Sequence, residues 1–364
     1  MNRRQLLIAA SLLPFSKLAL ASEFSDFMAE QQQGAKGLTT EFEEYQKAYL
    51  KEFRSYKKAI EKEWDDARTS SPYTWTTYSN NKKSRTTIDY RSNTVQVEIR
   101  ADEKPTRELI NKLVFEAVSK PVGAAVNEDQ LLSKLIDKPL PVTDTLMSGI
   151  AIVKGKLLQL VNKVKVIADH DSKGQYVSIV VPLPASSKNT RSNQFLPSVR
   201  KYSKEFDIDR ALVFAIIQTE SAFNPMAQSH IPAFGLMQIV PRSAGVDVQQ
   251  LLFKKRQAPS SRLLFNPDTN IRYGTAYLHI LKYKYLKSIT NIESREHCCI
   301  AAYNTGAGNV AKAFTGKTNV KAAAVIINKM TPKEVYAFLI RNLKHKEARD
   351  YVQRVNSAKV KYLA

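Results

Sequence analysis

One glutamate is placed where a carboxyl would hold on to its proton. In the segment from Asp209 to Ser221, Asp209 has the character of a helix N-cap, and the apolar run behind it predicts a buried helix. Val213, Ile216, Ile217 and Glu220 follow the i, i+3, i+4, i+7 spacing that draws a single helix face. A carboxylate among hydrophobes is costly to ionise, so its pKa rises and it can serve as a general acid near neutral pH. Asn224 precedes Pro225 and is pushed away from helical angles, so the helix must end just past Glu220, at the edge of a pocket. Taken alone, the same feature also fits a helix-end glutamate that turns to solvent.

Three further segments carry groups that could face a polar ligand. Phe234-Gly235-Leu236-Met237-Gln238 sets a glycine beside a flexible thioether and an amide. Ala302-Tyr303-Asn304-Thr305-Gly306 ends an apolar run in a turn, with a phenol and an amide side by side. Near the end, Tyr351 follows Arg349-Asp350 in a helical pattern. Each is weak singly.

Together and in this order, Glu220-Ser221, Gly235-Leu236-Met237-Gln238, Ala302-Tyr303-Asn304 and Tyr351 resemble the lysozyme-like catalytic domain of family 1 lytic transglycosylases, over roughly residues 196–364. The stretch Gln218-Thr219-Glu220-Ser221-Ala222-Phe223-Asn224-Pro225 narrows the resemblance to the murein transglycosylase C branch. So do Phe265-Asn266-Pro267-Asp268-Thr269-Asn270-Ile271 and Gly274-Thr275-Ala276-Tyr277-Leu278. The resemblance implies that Glu220 is the catalytic acid/base. It further implies that Ser221 and Gln238 shape the site, that Met237 lines the groove, and that Tyr303, Asn304 and Tyr351 touch substrate or the glutamate. The implied reaction is non-hydrolytic cleavage of the peptidoglycan strand between N-acetylmuramic acid and N-acetylglucosamine, leaving a 1,6-anhydromuramoyl end. Substrate-assisted cleavage needs one carboxylate where most glycosidases need two. The chain departs from the branch at Thr305, where the family often has glycine, and at Ala21-Ser22, where many members carry a lipoprotein cysteine.

The elements that must position these residues are legible in outline, and the expected fold class is α+β, a small N-terminal α+β domain followed by a mostly helical lysozyme-like domain. Tyr45, Tyr49, Phe53, Tyr56, Ile60 and Trp64 recur every three or four residues, one stripe along a long helix, with Thr40 and Glu43 as a capping box at its start. Ile88 and Tyr90, then Val95, Val97 and Ile99, alternate about residues 91–94 as a hairpin. A helix is expected near residues 107–119, and a strand through Val177, Ile179 and Val181 that stops at Pro182. The first domain is therefore placed at residues 22–183, a polar linker at 184–196, and the catalytic domain at 197–364.

Export is expected from the first residues. Arg3 and Arg4 precede an apolar run, and Ala19-Leu20-Ala21 offers a cleavage site before Ser22, so residues 1–21 read as a signal peptide. The paired arginines with Gln5-Leu6-Leu7 suggest the twin-arginine route, although a general secretory signal can begin the same way. The expected location is the periplasm, with peripheral association with a membrane left open and no lipid anchor expected at the junction. Cys298 and Cys299 are the only cysteines, adjacent and in an apolar run, so they predict two small buried hydrophobes rather than a disulfide or a metal site. No cofactor and no metal is expected. A formal charge of +21 calls for an anionic partner, and export argues against nucleic acid. Two other readings stay open: a lysozyme-type hydrolase on the same fold, for which Asp247 and Asp268 would be the second carboxylate, and a non-catalytic peptidoglycan-binding protein.

Overall fold

The computed structural model describes residues 40–134, 138–142, 145–149, 154–229 and 233–363. The expected signal peptide and the Ala21-Ser22 junction lie outside these residues, as do the side chains of the expected capping box at Thr40 and Glu43.

The long amphipathic stripe forms helix α1 (Thr40–Glu61), and a five-stranded antiparallel sheet follows. Its strands are β1 (Thr74–Tyr78), β2 (Ser84–Asp89), β3 (Thr94–Arg100), β4 (Ile167–Asp171) and β5 (Gly174–Pro182), in the spatial order β1-β2-β3-β5-β4. The predicted hairpin is β2–β3, and the strand predicted through Val181 pairs with β3 in the register Val95↔Val181 and Val97↔Ile179. Alternation along β3 sends Val95, Val97 and Ile99 into the core, where helix α2 (Arg107–Ser119) covers them with Ile110, Val114 and Val118. Helices α3 (Val122–Glu128) and α4 (Lys154–Asn162) complete that layer.

The opposite face of β3 buries charge. Glu98 accepts from Arg85 Nε at 2.8 Å and from Arg68 Nη1 at 2.7 Å, so its desolvation is offset by two guanidiniums. Trp64, just beyond the end of α1, is 1% exposed and meets Arg85 and Arg100 at 4.2 and 4.0 Å from its ring. The helix stripe thus packs on the sheet, at its C-terminal end.

The segment expected as a linker is not one. Residues 184–196 carry helix α5 (Ser186–Gln194) and run directly into α6 (Leu196–Phe206). Their polar side chains are spent on the hairpin loop: Asn93 donates to the carbonyls of Leu183 and Pro184 at 3.0 and 3.1 Å, and its Oδ1 accepts from Ser187 at 2.7 Å and Arg191 at 2.8 Å. Composition alone reads such a stretch as solvated; a buried asparagine 90 residues away makes it a docked helix.

The rest of the chain is helical: α7 (Arg210–Ser221), α8 (Val246–Phe253), α9 (Ser261–Phe265), α10 (Pro267–Ile280), α11 (Ile292–Thr305), α12 (Ala307–Thr315), α13 (Val320–Ile327), α14 (Pro332–Asn342) and α15 (Lys346–Val360). Asn266 and Gly306 fall between elements, while residues 307–309 already belong to a helix. Asn266 caps α10 by accepting from Thr269 N at 2.9 Å, with Pro267 in the first turn, and Gly306 takes a positive φ of 85° between α11 and α12. The architecture is α+β, with one buried apolar cluster running from the sheet residues into the helices. Among the described residues no helix is long and apolar enough to cross a membrane.

Candidate active site

Helix α7 is built as its sequence requires. Asp209 caps it by accepting from Ala211 N at 2.8 Å, and every residue from Ala211 through Ile217 is buried. The helix then stops abruptly. Ala222 and Phe223 both take positive φ, 50° and 66°, a costly pair for residues with a Cβ. The fully buried Asn224 holds them there: its amide donates to the carbonyls of Pro72 and Ser71 at 3.1 and 3.3 Å, and its Oδ1 accepts from Met226 N at 3.0 Å. Tyr73 adds a bond to the Thr219 carbonyl at 2.9 Å. The loop just before β1 therefore fixes the last turn of α7.

Glu220 sits in that turn, half-buried and so still reachable. Its Oε1 accepts from the Tyr351 hydroxyl of α15 at 2.7 Å. Burial pushes its carboxyl up to about 8; the Tyr351 hydrogen bond opposes the shift, the nearby Glu347 charge adds to it, and Arg354 works against it. Burial together with the Glu220 charge also holds the phenols of Tyr351 and Tyr303 well above their ordinary value, so both stay protonated and able to donate.

The turn at residues 235–238 is tied to the last turn of α7 through Ser221. Ser221 donates to the Leu236 carbonyl at 2.8 Å and to the Ile217 carbonyl at 3.0 Å. Asn270, fully buried in α10, donates to the carbonyls of Phe234 and Leu264 at 2.7 Å each and accepts from Met237 N at 2.8 Å. Gly235 has φ +73°, and a Cβ there would stand 2.4 Å from Asn270 Nδ2. Gln238 spends its amide on the carbonyls of Gly235 and Ala227 at 3.0 and 3.1 Å, while Tyr303 reaches across from α11 to donate to the Met237 carbonyl at 2.8 Å.

The expected residues thus converge, but not in equal roles. Ser221 and Met237 are at 0% exposure, so neither can touch a ligand directly. The Ser221 hydroxyl is held by backbone carbonyls, and the Met237 side chain packs on Gly274, where a Cβ would lie 2.2 Å from its sulfur. They are supports, as Gln238 is through its amide. Tyr351 meets the glutamate, Tyr303 fixes the turn, and Asn304 is half-buried in the last turn of α11. Sequence reasoning missed the structural parts played by Asn270, Asn224 and Tyr73. Asn270 had a signal, an amide beside Ile271 on an apolar helix; the link from Tyr73 to Thr219 spans 146 residues and had none. Asp268 accepts from Ser198 and Tyr202 at 2.6 and 2.5 Å, and Asp247 from Tyr285 at 2.8 Å, so both are engaged elsewhere. Among the described residues no cluster of His, Cys, Asp or Glu could hold a metal ion.

The Transglycosylase SLT domain family matches residues 197–326, which hold Glu220 and the 235–238 turn. A membrane-bound lytic murein transglycosylase C of Salmonella paratyphi B is 32% identical over 303 residues, which cover 80% of this chain and 82% of that protein. The chain belongs to the membrane-bound lytic murein transglycosylase C family. A member from Photorhabdus laumondii is 44% identical over 185 residues, 51% of each chain. The chain thus spans about half the length of this relative and of the others it matches at similar identity. Among solved structures, the 70 kDa soluble lytic transglycosylase of Escherichia coli is similar over 46% of this chain and 24% of its own, at 25% identity and a TM-score of 0.35. Residues before position 197, outside the SLT match, supply Ser71, Pro72 and Tyr73 to the end of α7.

Proposed function

We propose that this chain is a peptidoglycan lytic transglycosylase, in which Glu220 protonates the glycosidic oxygen between N-acetylmuramic acid and N-acetylglucosamine. The carboxylate so formed then accepts the proton of the muramoyl C6 hydroxyl, whose oxygen closes on C1. The glycosidic bond breaks, the 1,6-anhydro bond forms, and Glu220 ends protonated as it began. One observation carries this reading: a half-buried carboxyl in the last turn of α7, pushed up to about 8 by burial, accepts a hydrogen bond from Tyr351. An inverting hydrolase would need a second carboxylate to activate water; Asp247 and Asp268 bond elsewhere, and Glu347 is paired with Arg354 at 3.0 Å. The relatives' names support an envelope location, and residues 1–21 support export to the periplasm. In this reading residues 197–364 supply the chemistry and the sheet-bearing part steadies it.

The test is product analysis. Sacculi incubated with the protein are expected to release anhydromuramoyl fragments, identified by mass spectrometry; reducing muramoyl ends would place the chain among hydrolases instead. The rate is expected to fall as pH rises through about 8, because the acid form is lost there. Tyr351→Phe removes a hydrogen bond that favours the carboxylate, so the alkaline midpoint moves upward. Its kcat is expected to drop about tenfold, since the glutamate then ionises less readily between the two steps. A midpoint unchanged in Tyr351→Phe would separate the tyrosine from the titrating group.

A further inference from the structure

The face of the sheet that β3 fills with Val95, Val97 and Ile99 turns polar toward the β1 edge. Thr86 of β2 stands opposite Val97, Ser84 stands opposite Ile99, and Thr86 in turn faces Thr77 of β1. Strand alternation puts all three on the side that α2 covers, where an antiparallel sheet ordinarily carries hydrophobes. Thr86 and Ser84 are 5% and 8% exposed, yet their hydroxyls, like those of Thr77 and Tyr56, have no hydrogen-bond partner among the described residues. Unpaired polar groups in such a position are costly. They are not sealed in, however: all four oxygens keep solvent access, through a cavity of about 330 Å³ whose lining also includes Trp75 and, from α2, Leu113 and Ala117. Its walls are fixed. Gln130 donates to the Tyr78 carbonyl at 3.0 Å, Asp129 accepts from Leu131 N and Leu132 N at 3.0 and 2.9 Å, and at the rim Lys120 pairs with Glu128 at 2.5 Å. All the lining residues lie between Tyr56 and Gln130. Tyr73, which touches α7, precedes β1, whereas Ser79 and Asn80 of the cavity follow it, so the cavity opens at the end of the strand away from Glu220.

We propose that this cavity binds one neutral hydroxylated ring, of the size of a hexose or an N-acetylhexosamine, at a place separate from the cleavage site. Its volume is at the small end of the range for pockets that take small molecules. Each free hydroxyl can donate and accept, which matches the mixed character of a sugar's own hydroxyls. Trp75, Leu113 and Ala117 offer apolar contact to the C–H faces of the ring. A cation is a poorer match, because the rim charges of Lys120 and Glu128 are spent on each other and burial pushes the Asp129 carboxyl up, toward its neutral form. The proposal is independent of the reaction assigned to Glu220.

The full chain is titrated calorimetrically with N-acetylglucosamine, with glucose and with 1,4-diaminobutane, alongside Thr77→Val/Thr86→Val. Valine keeps the shape of threonine and removes only the hydroxyl. The variant is therefore expected to melt at or above the wild-type temperature, since it loses unpaired polar groups rather than bonds, while its affinity for the ring falls about tenfold. Trp75 emission reports the same event, because Trp64, the other tryptophan of the chain, packs on the opposite face of the sheet. A preference for N-acetylglucosamine traces the ligand to an amino-sugar polymer and a preference for glucose to a plain hexose; either supports the site when the valines weaken it. Sugar binding that the valines leave untouched places the ring elsewhere on the chain and overturns the proposal, as does uptake of the diamine alone. A variant that melts well below wild type overturns it too, by showing that the hydroxyls are bonded in the fold. Binding of none of the three probes leaves a cavity that holds only water, with the same result.

Discussion

Glu220→Gln is expected to lower kcat for strand cleavage about a thousandfold or more while leaving the protein more stable than wild type near neutral pH. The amide keeps the side chain's size and its acceptor for Tyr351, but it cannot deliver a proton to the leaving oxygen. The stability change follows from the same burial that raises the carboxyl's pKa. Between the ordinary carboxyl value of 4.5 and the native value of about 8, the folded protein binds more protons at this site than the unfolded chain does, so stability falls as pH rises through that window. Glutamine does not ionise and escapes this loss. The two proteins should match below pH 4.5, and the variant should lead by about 2 kcal/mol near pH 8, less than the full shift would give because solvent reaches part of the group. Denaturant titrations at several pH values measure the gap. A variant less stable than wild type at pH 8 would mean that the glutamate is a structural ion rather than a buried acid.

Gly235→Ala is expected to cost about 3 kcal/mol or more and to depress activity with it. At φ +73° an alanine is strained before any contact is counted, and its Cβ would meet Asn270 Nδ2 at 2.4 Å and the Leu264 carbonyl at 2.6 Å. Asn270 is the clamp that holds Phe234, Leu264 and Met237 together, so it cannot give way without freeing the turn that Ser221 and Tyr303 grip. Gly316→Ala is the control. Gly316 has almost the same φ, +71°, with nothing within 4 Å of an added Cβ, so only the backbone strain of about 1 kcal/mol is expected there. Thermal melts of the two variants, differing by roughly 6 °C, would isolate the clash. Equal losses would show that Asn270 can move.

Local chemistry in the sequence was enough to place much of this molecule. The capped apolar helix ending at Asn224-Pro225, the β2–β3 hairpin, the strand stopping at Pro182 and the turn at Gly306 are written in spacing and in residues with narrow backbone preferences. The glutamate's apolar face was visible for the same reason, since helical periodicity shows which residues share a side. The edge strands β1 and β4 went unread: Thr74–Tyr78 lacks an apolar alternation, and Ile167–Asp171 is largely exposed.

What the tertiary structure alone decided is which polar groups face a ligand and which hold the frame. Ser221 and Met237 carry polar or pliable side chains near Glu220, yet both are closed off, because whether a side chain reaches solvent depends on what packs over it from distant segments. The polar stretch 184–196 became a helix through Asn93, and the end of α7 was fixed by residues 71–73. Each of these depends on contacts between residues far apart in the chain, and a hydrogen bond of that kind leaves no period in the sequence to read.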